Sequence, residues 1–356
     1  MEKFAINGIG LHSKEIYGVQ RYTIELLKEL DKIVEPEMLE LVLPKGGARK
    51  YTFRNIIVTY LNNTYSNVFE KQYWKRIQFK NHLKKSGRIG IDLVLCFPNG
   101  CDIIAIHDCI IEHFPENADT LKRKLGRILY ISKVKKQIQS AKKIITVSEY
   151  SKKEICNYYH CNSKKIAIIP NAWQHFLAIK EDSSIISKLG LTDREYFFSL
   201  GSRYAHKNFK WIKEAAKQNP GNVFVVSGSD QLNSSDSYLN THKVSNLMFT
   251  GYLSDEEVKA LMRSCKAFIL PSLCEGFGIP PMEAMSVEAD CIVSKASCLP
   301  EIYQDAVWYI NPLQYKNIDL SNIMHTKRTM TNQNVLDRFS WEKSANKLYA
   351  LLSELY

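Results

Sequence analysis

Across its 356 residues the chain has no uninterrupted apolar run of the roughly 18 residues a membrane-spanning helix requires. Its opening, Met-Glu-Lys-Phe-Ala-Ile-Asn, is not a signal peptide, so the expectation is a soluble, intracellular protein. The nine cysteines include no Cys-x-x-Cys pair, and Cys96, Cys265 and Cys291 lie in or beside apolar runs where thiols pack as small hydrophobes. That argues against a disulfide framework and for a reducing compartment. Cys156-Asn-Tyr-Tyr-His160-Cys161 lacks a second ligand pair at zinc spacing, so no metal is expected there. Gly8-Ile-Gly10 lacks the third glycine of a dinucleotide fingerprint, which makes it weak support for a nicotinamide cofactor. No helix-turn-helix, zinc-finger or RNA-recognition signature accompanies the positive charge, and no nucleic-acid partner is expected.

The formal net charge of +11 is unevenly placed. Residues 69–88 carry Lys71, Lys75, Arg76, Lys80, Lys84, Lys85 and Arg88 against the single acid Glu70. Residues 121–143 carry nine basic side chains and no acid. These two segments hold one of the 37 acidic residues and sixteen of the 48 basic ones, so the rest of the chain is net acidic. Both interleave the cations with apolar side chains: Tyr73, Trp74, Ile77, Phe79 and Leu83 in the first, Leu125, Ile128, Leu129, Ile131 and Val134 in the second. Such helices suit an anionic bilayer surface. A solvated helix face packing on its own sheet is the competing reading.

Short apolar runs alternate with amphipathic patterns throughout, the sequence form of mainly parallel sheets wrapped by helices. Expected strands in the first half are Leu39–Leu43, Asn55–Val58, Leu93–Phe97, Ile103–Ile106, Lys143–Val147 and Ile166–Ile169, with a helix over Thr23–Leu30. The second half gives Tyr196–Leu200, Asn222–Ser227, Leu247–Thr250, Ala267–Leu270, Cys291–Ser294 and Ala306–Ile310. The length suits two domains. Residues 174–192 lack a strong strand and mark the boundary, and Ser340-Trp-Glu-Lys opens a capped helix at the end. The expected domains are 1–174, 175–337 and a helix over 338–356.

The richest stretch is Pro271-Ser-Leu-Cys-Glu275-Gly276-Phe277-Gly278-Ile279-Pro-Pro-Met-Glu283-Ala-Met285. It reads as strand, glycine turn and helix, and ligands of open α/β sheets sit at the carboxyl ends of the strands. Gly276 and Gly278 permit close main-chain approach, and Glu275 and Glu283 would accept hydrogen bonds from hydroxyl groups at two parts of one extended ligand. A second turn, Gly201-Ser202-Arg203-Tyr-Ala-His-Lys207-Asn208, sets cations where a strand gives way to a helix and suits a diphosphate. His107-Asp108 ends an apolar strand, where the imidazole could bond a sugar hydroxyl or transfer a proton. Gly18 begins a helix in the same phosphate-approach pattern.

With Val147-Ser-Glu-Tyr-Ser-Lys152, Ile169-Pro-Asn171, Phe249-Thr-Gly-Tyr-Leu-Ser-Asp255 and Phe339-Ser-Trp341, these motifs resemble family 4 of the retaining glycosyltransferases over nearly the whole chain. The resemblance implies an α/β protein of GT-B fold: two Rossmann-like domains facing across a cleft, acceptor-binding first and donor-binding second, with the last helix crossing back. It implies that Glu275 holds donor-sugar hydroxyls and Glu283 the ribose hydroxyls. Lys207, with Arg203 beside it, matches the diphosphate cations, and His107 the histidine near the reacting face of the sugar. Gly18, Ser202, Asn208, Gly251, Tyr252, Gly276, Phe277, Gly278 and Ile279 complete the implied donor site. Two departures stand out. Glu288-Ala289-Asp290-Cys291 replaces a Gly-x-Pro-Val turn, and Arg203 sits where many relatives have an apolar residue.

The implied reaction moves a hexose or deoxyhexose from a nucleoside-diphosphate sugar to a glycan or lipid-linked saccharide acceptor, in capsule, O-antigen or exopolysaccharide assembly at the inner face of the plasma membrane. No Asp-x-Asp pair stands near a strand end, so no metal or other cofactor is expected. A sugar-nucleotide 2-epimerase on the same fold and a non-enzymatic nucleotide-binding scaffold are the alternatives.

Overall fold

The computed structural model describes residues 2–13, 16, 18–47, 49–61, 67–192, 195–201, 204–228 and 244–355. Their contacts divide into one unit of 1–112, 120–171 and 341–356, and another of 113–119 and 172–340.

The first unit is built on a parallel sheet ordered β3-β2-β1-β4-β5-β6-β7. Its strands are β1 (Phe4–Asn7), β2 (Leu39–Pro44), β3 (Ile57–Leu61), β4 (Ile89–Asp92), β5 (Cys101–Ala105), β6 (Lys143–Thr146) and β7 (Ile166–Ile168). β1 and β2 are buried along their whole length, Asn7 and Glu40 included. β1 lies inside the sheet, between β2 and β4, yet its four residues give too short a pattern to stand out in the sequence. The expected strand Leu93–Phe97 does not form. Asp92 ends β4, its carboxylate taking a hydrogen bond from the Phe97 amide at 2.7 Å and another from the Asn7 side chain at 3.0 Å. That turn drives Leu95 and Phe97 to φ of 54° and 52°, outside strand geometry. Likewise β3 starts later than expected because the Asp31 carboxylate takes the amides of Arg54, Asn55 and Ile56.

The helix Gly18–Ile33 buries Tyr22, Leu26, Leu27 and Leu30, and packs against the helix Trp341–Glu354, which buries Trp341, Ala345, Leu348 and Leu352. The Ser344 hydroxyl donates to the Pro170 carbonyl at 2.7 Å. The C-terminal helix therefore returns to the first unit. Of the two basic segments, the first is helical with a π-turn at Trp74–Gln78; Trp74, Phe79 and Leu83 are buried, and the Trp74 indole donates to Asn7 at 3.0 Å. The second, Leu121–Ser140, buries only Val134 and Ile138. No described helix is long and apolar enough to cross a membrane.

The second unit carries a parallel sheet ordered β10-β9-β8-β11-β12-β13. Its strands are β8 (Tyr196–Leu200), β9 (Val223–Ser227), β10 (Leu247–Phe249), β11 (Ala267–Leu270), β12 (Cys291–Ser294) and β13 (Trp308–Ile310). Phe197, Trp211, Phe224, Ile269 and Ile292 form the core between this sheet and the helix Phe209–Gln218. β8 and β11 are adjacent, so the loops leaving their carboxyl ends are neighbours. β13 is shorter than the expected Ala306–Ile310 because a 3-10 turn occupies Gln304–Ala306.

Because the C-terminal helix supplies one wall of the first unit's core, Leu348→Ala should destabilise that unit by about 2–5 kcal/mol. Urea unfolding followed by circular dichroism measures this.

Candidate active site

The turn after β8 is set by sterics. A Cβ on Gly201 would stand 2.1 Å from the Ser227 carbonyl oxygen, so only glycine fits where its amide donates to Ser227 at 3.1 Å. The chain resumes in a 3-10 turn, Ala205–Lys207, and passes through Asn208 at φ 55° into the helix Phe209–Gln218. The Asn208 amide donates to the carbonyls of Pro271 at 3.0 Å and Pro312 at 2.8 Å, and its oxygen accepts from the Tyr315 hydroxyl at 3.1 Å. Asn208 thus braces the lysine turn against the end of β11, and its side chain is engaged by the scaffold.

After β11 the chain enters the glycine turn. The Glu275 amide donates to the Ser297 hydroxyl at 3.0 Å. Gly278, at φ 77°, caps the helix Ile279–Met285, and its carbonyl accepts from the buried Tyr303 hydroxyl. A Cβ on Gly278 would meet Leu299 at 2.6 Å, so conformation and space both favour glycine. Phe277 is buried edge-on against Phe339.

These two turns bring Lys207 and Glu275 together: Nζ donates to Oε1 at 2.7 Å, with Glu275 buried. Burial alone would raise the Glu275 carboxyl, but the charge and hydrogen bond of Lys207 hold it below the ordinary carboxylate range. His206 beside them is buried among Phe114, Tyr204 and Asn117, and its pKa is pulled down to about 4 by burial first and by Lys207 second. It is neutral near pH 7. Glu283, in the second turn of its helix, is paired instead with His175, Nε2 to Oε1 at 2.8 Å. The arrangement offers one ammonium to an anion and two carboxylates to hydroxyl donors.

Other expected site residues are dispersed. Gly251, at φ 74°, pairs with Gly228 through reciprocal amide–carbonyl bonds, and Tyr252 is 94% exposed. Gly276 and Ile279 flank the Phe277–Gly278 turn. Ser202 and Arg203 lie outside the described residues. His107 and Gly18 belong to the first unit. His107 is buried edge-on to Tyr22 at 4.7 Å, its Nε2 at 3.3 Å from the Leu93 carbonyl; burial pulls its pKa down to about 4. It too is neutral at pH 7, able to hydrogen-bond a hydroxyl. A Cβ on Gly18 would meet nothing within 4 Å, so the fold leaves open space there. Sequence reasoning did not single out His175, which sits in the stretch taken as a boundary, and named His206 only as part of a turn.

Two parallel-sheet units, the second with a buried carboxylate–lysine pair at its strand ends, define an α/β protein. The family description "Glycosyltransferase Family 4" matches residues 16–173 and "Glycosyl transferases group 1" matches 182–319. The chain belongs to this glycosyltransferase family. It is similar to the O-antigen chain mannosyltransferase RfbU of Salmonella typhimurium, 26% identical over 215 residues that make 59% of this chain and 56% of that one. It is also similar to the serotype-specific mannosyltransferase WbdA of Escherichia coli, 30% identical over 211 residues that make 54% of this chain and 25% of that one. The chain thus spans about half, or less, of the length of these curated relatives. Among solved structures, Anabaena HepE in complex with UDP-glucose superposes with a TM-score of 0.67 at 15% identity, covering 99% of this chain and 100% of that one. That likeness shows the fold, which is GT-B.

The Lys207–Glu275 pair carries a pH dependence. A depressed carboxylate adds stability above its unfolded pKa, and that stability is lost as pH falls through the folded value. Lys207→Met should cost about 1–3 kcal/mol at pH 7, leaving a buried carboxylate unpaired, and the deficit should shrink towards pH 4 as Glu275 protonates. Urea unfolding at both pH values tests this, and a deficit independent of pH would mean that the lysine acts through packing alone.

Proposed function

We propose that the chain is a hexosyltransferase that moves a hexose or deoxyhexose from a nucleoside-diphosphate sugar to a saccharide acceptor, lipid-linked, in bacterial surface-polysaccharide assembly. The observation that carries this reading is the buried Lys207–Glu275 pair at the carboxyl ends of β8 and β11. Support for the chemistry comes from RfbU and WbdA, named as mannosyltransferases, and from HepE, solved with a UDP-sugar. None of these is an epimerase or a scaffold.

In this reading Lys207 supplies the charge that the leaving diphosphate needs, so the reaction proceeds without a metal. Glu275, kept ionised by that lysine, accepts hydrogen bonds from sugar hydroxyls, and Glu283 takes the ribose. Neutral His107 bonds a hydroxyl near the reacting face. The configuration is retained by attack from the leaving-group face, with the departing phosphate accepting the proton of the acceptor hydroxyl. A double displacement would need a carboxylate on the opposite sugar face, and none is assigned to it.

The first unit supplies a surface for a membrane-borne acceptor. On the helix Leu121–Ser140, Leu121, Leu125, Ile128 and Leu129 share one face at 75, 55, 61 and 64% exposure, flanked by Lys122, Arg123 and Lys124. Phe69, at 85%, and Val68 extend the apolar exposure on the other basic segment. Burying each exposed leucine gives roughly 1–2 kcal/mol and each nearby cation about 1 kcal/mol on an anionic surface, enough for reversible attachment. The protein is then peripheral at the cytoplasmic face of the plasma membrane.

Screening the full chain for transfer and donor hydrolysis with UDP-, GDP- and dTDP-sugars, with and without EDTA, tests the reaction. Glu275→Ala should lower turnover strongly while Glu283→Ala mainly weakens nucleotide binding, and activity should survive the chelator. Equal, small effects of both substitutions, or activity restored only by manganese, would overturn the assignment.

Co-sedimentation tests the membrane surface. Binding to anionic but not neutral vesicles, weakening with salt, is expected, as is release by Leu125→Asn with Ile128→Asn at unchanged nucleotide affinity. Sedimentation unaffected by both would place the acceptor in solution.

A further inference from the structure

We propose that His175 is a positioning residue for the nucleotide, fixing the Glu283 carboxylate in the orientation that receives the ribose. The inference rests on the reading of Glu283 as the ribose carboxylate and assigns its geometry to a residue far away in the chain.

Three observations carry it. The first is the contact itself. His175 Nε2 stands 2.8 Å from Glu283 Oε1, with side-chain exposures of 2% and 15%, so the bond is sheltered from water on the histidine side and open on the carboxylate side. A carboxylate accepts, so Nε2 carries the proton, and among the described residues Oε2 of Glu283 has no hydrogen-bond partner. One oxygen is held and the other is left for a ligand.

The second observation is that the histidine is itself immobilised. Residues Gln174–Phe176 form a 3-10 turn tied down on both sides. Upstream, the Trp173 indole donates to the carbonyls of Leu336 and Phe339, each at 3.1 Å, and Gln174 donates to Phe339 at 3.0 Å. Downstream, the buried Lys259 ammonium donates to the carbonyls of Phe176 at 2.9 Å, Leu177 at 3.2 Å and Ile179 at 2.7 Å. A lysine devoted to three backbone carbonyls is an expensive way to hold a loop that had no further duty.

The third is the shape of the carboxylate's own support. Glu283 stands on the seven-residue helix Ile279–Met285, and its side chain has no other hydrogen bond among the described residues. A glutamate has three rotatable bonds, and without a partner its carboxylate would be spread over several rotamers. Pre-organisation by His175 removes that ordering cost from nucleotide binding.

The test compares nucleotides with and without the hydroxyls that Glu283 receives. Calorimetric titration of the full chain with UDP, GDP and their 2′,3′-dideoxy counterparts measures the preference for ribose. The wild-type chain should bind the ribonucleotide about tenfold or more tightly than the dideoxy form, the worth of a hydrogen bond to a charged group. His175→Leu should lose most of that preference by weakening the ribonucleotide alone, and His175→Gln, which keeps a donor, should restore part of it. Unchanged dideoxy binding in both variants reports an intact site. A wild-type chain without the preference would overturn the ribose assignment of Glu283 and the proposal with it. Preference kept in His175→Leu, or binding of both nucleotides lost alike, would leave the assignment standing and show that His175 serves only the fold.

Discussion

Glu275 can be both buried and ionised only because a lysine from another loop reaches it, and much of the second unit follows from that requirement. Two loops must meet at one height, so β8 and β11 are neighbours in the sheet. The lysine loop must turn where no side chain fits, which makes Gly201 obligatory. It must then reverse into a helix, and Asn208 takes the left-handed position while its amide binds the end of β11. The carboxylate loop is held from behind by Ser297 and Tyr303. Remove the charge pair and these features have no common purpose.

The part of this that lies around Glu275 and Lys207 was legible because it is local. Glycines, a double proline and a carboxylate within fifteen residues announce strand, turn and helix, and a glycine turn followed by cations announces an anion loop. What the sequence hid depends on distant partners. His175 and Glu283 are 108 positions apart, and nothing in the intervening pattern joins them. Leu93–Phe97 looked like a strand because five largely apolar residues resemble one; the side chain of Asp92, folded back on the Phe97 amide, overrode that preference. The two basic segments read alike, since apolar spacing is the same for a face that packs and one that does not. In the structure Trp74 and Phe79 are buried in the first, while Leu125 and Ile128 stay exposed in the second.

The departure at Glu288-Ala289-Asp290 also has a physical account. The chain leaves the helix Ile279–Met285 with Glu288 at φ 68°, and the amides of Glu288 and Ala289 reach back to the carbonyls of Met285 and Ala284. A non-glycine residue in that conformation costs roughly 1–2 kcal/mol. Asp290 offsets part of it by pairing with Arg328 at 2.7 Å, and the Arg328 guanidinium lies 4.0 Å over the Trp308 ring. The backbone turn expected of glycine is therefore kept by other means, and the helix bearing Glu283 ends where it should.

The return of the helix Trp341–Glu354 to the first unit makes most of the second unit, in chain order, an insert within the first. Order along the chain then differs from order of completion. Domains tend to fold in the sequence in which the ribosome releases them. Here the unit that starts first lacks the inner wall contributed by Leu348 and Leu352 until every residue of the other has emerged. The second unit can be finished while its companion still exposes the apolar side of the helix Gly18–Ile33, which makes that helix the surface most in need of a chaperone during synthesis.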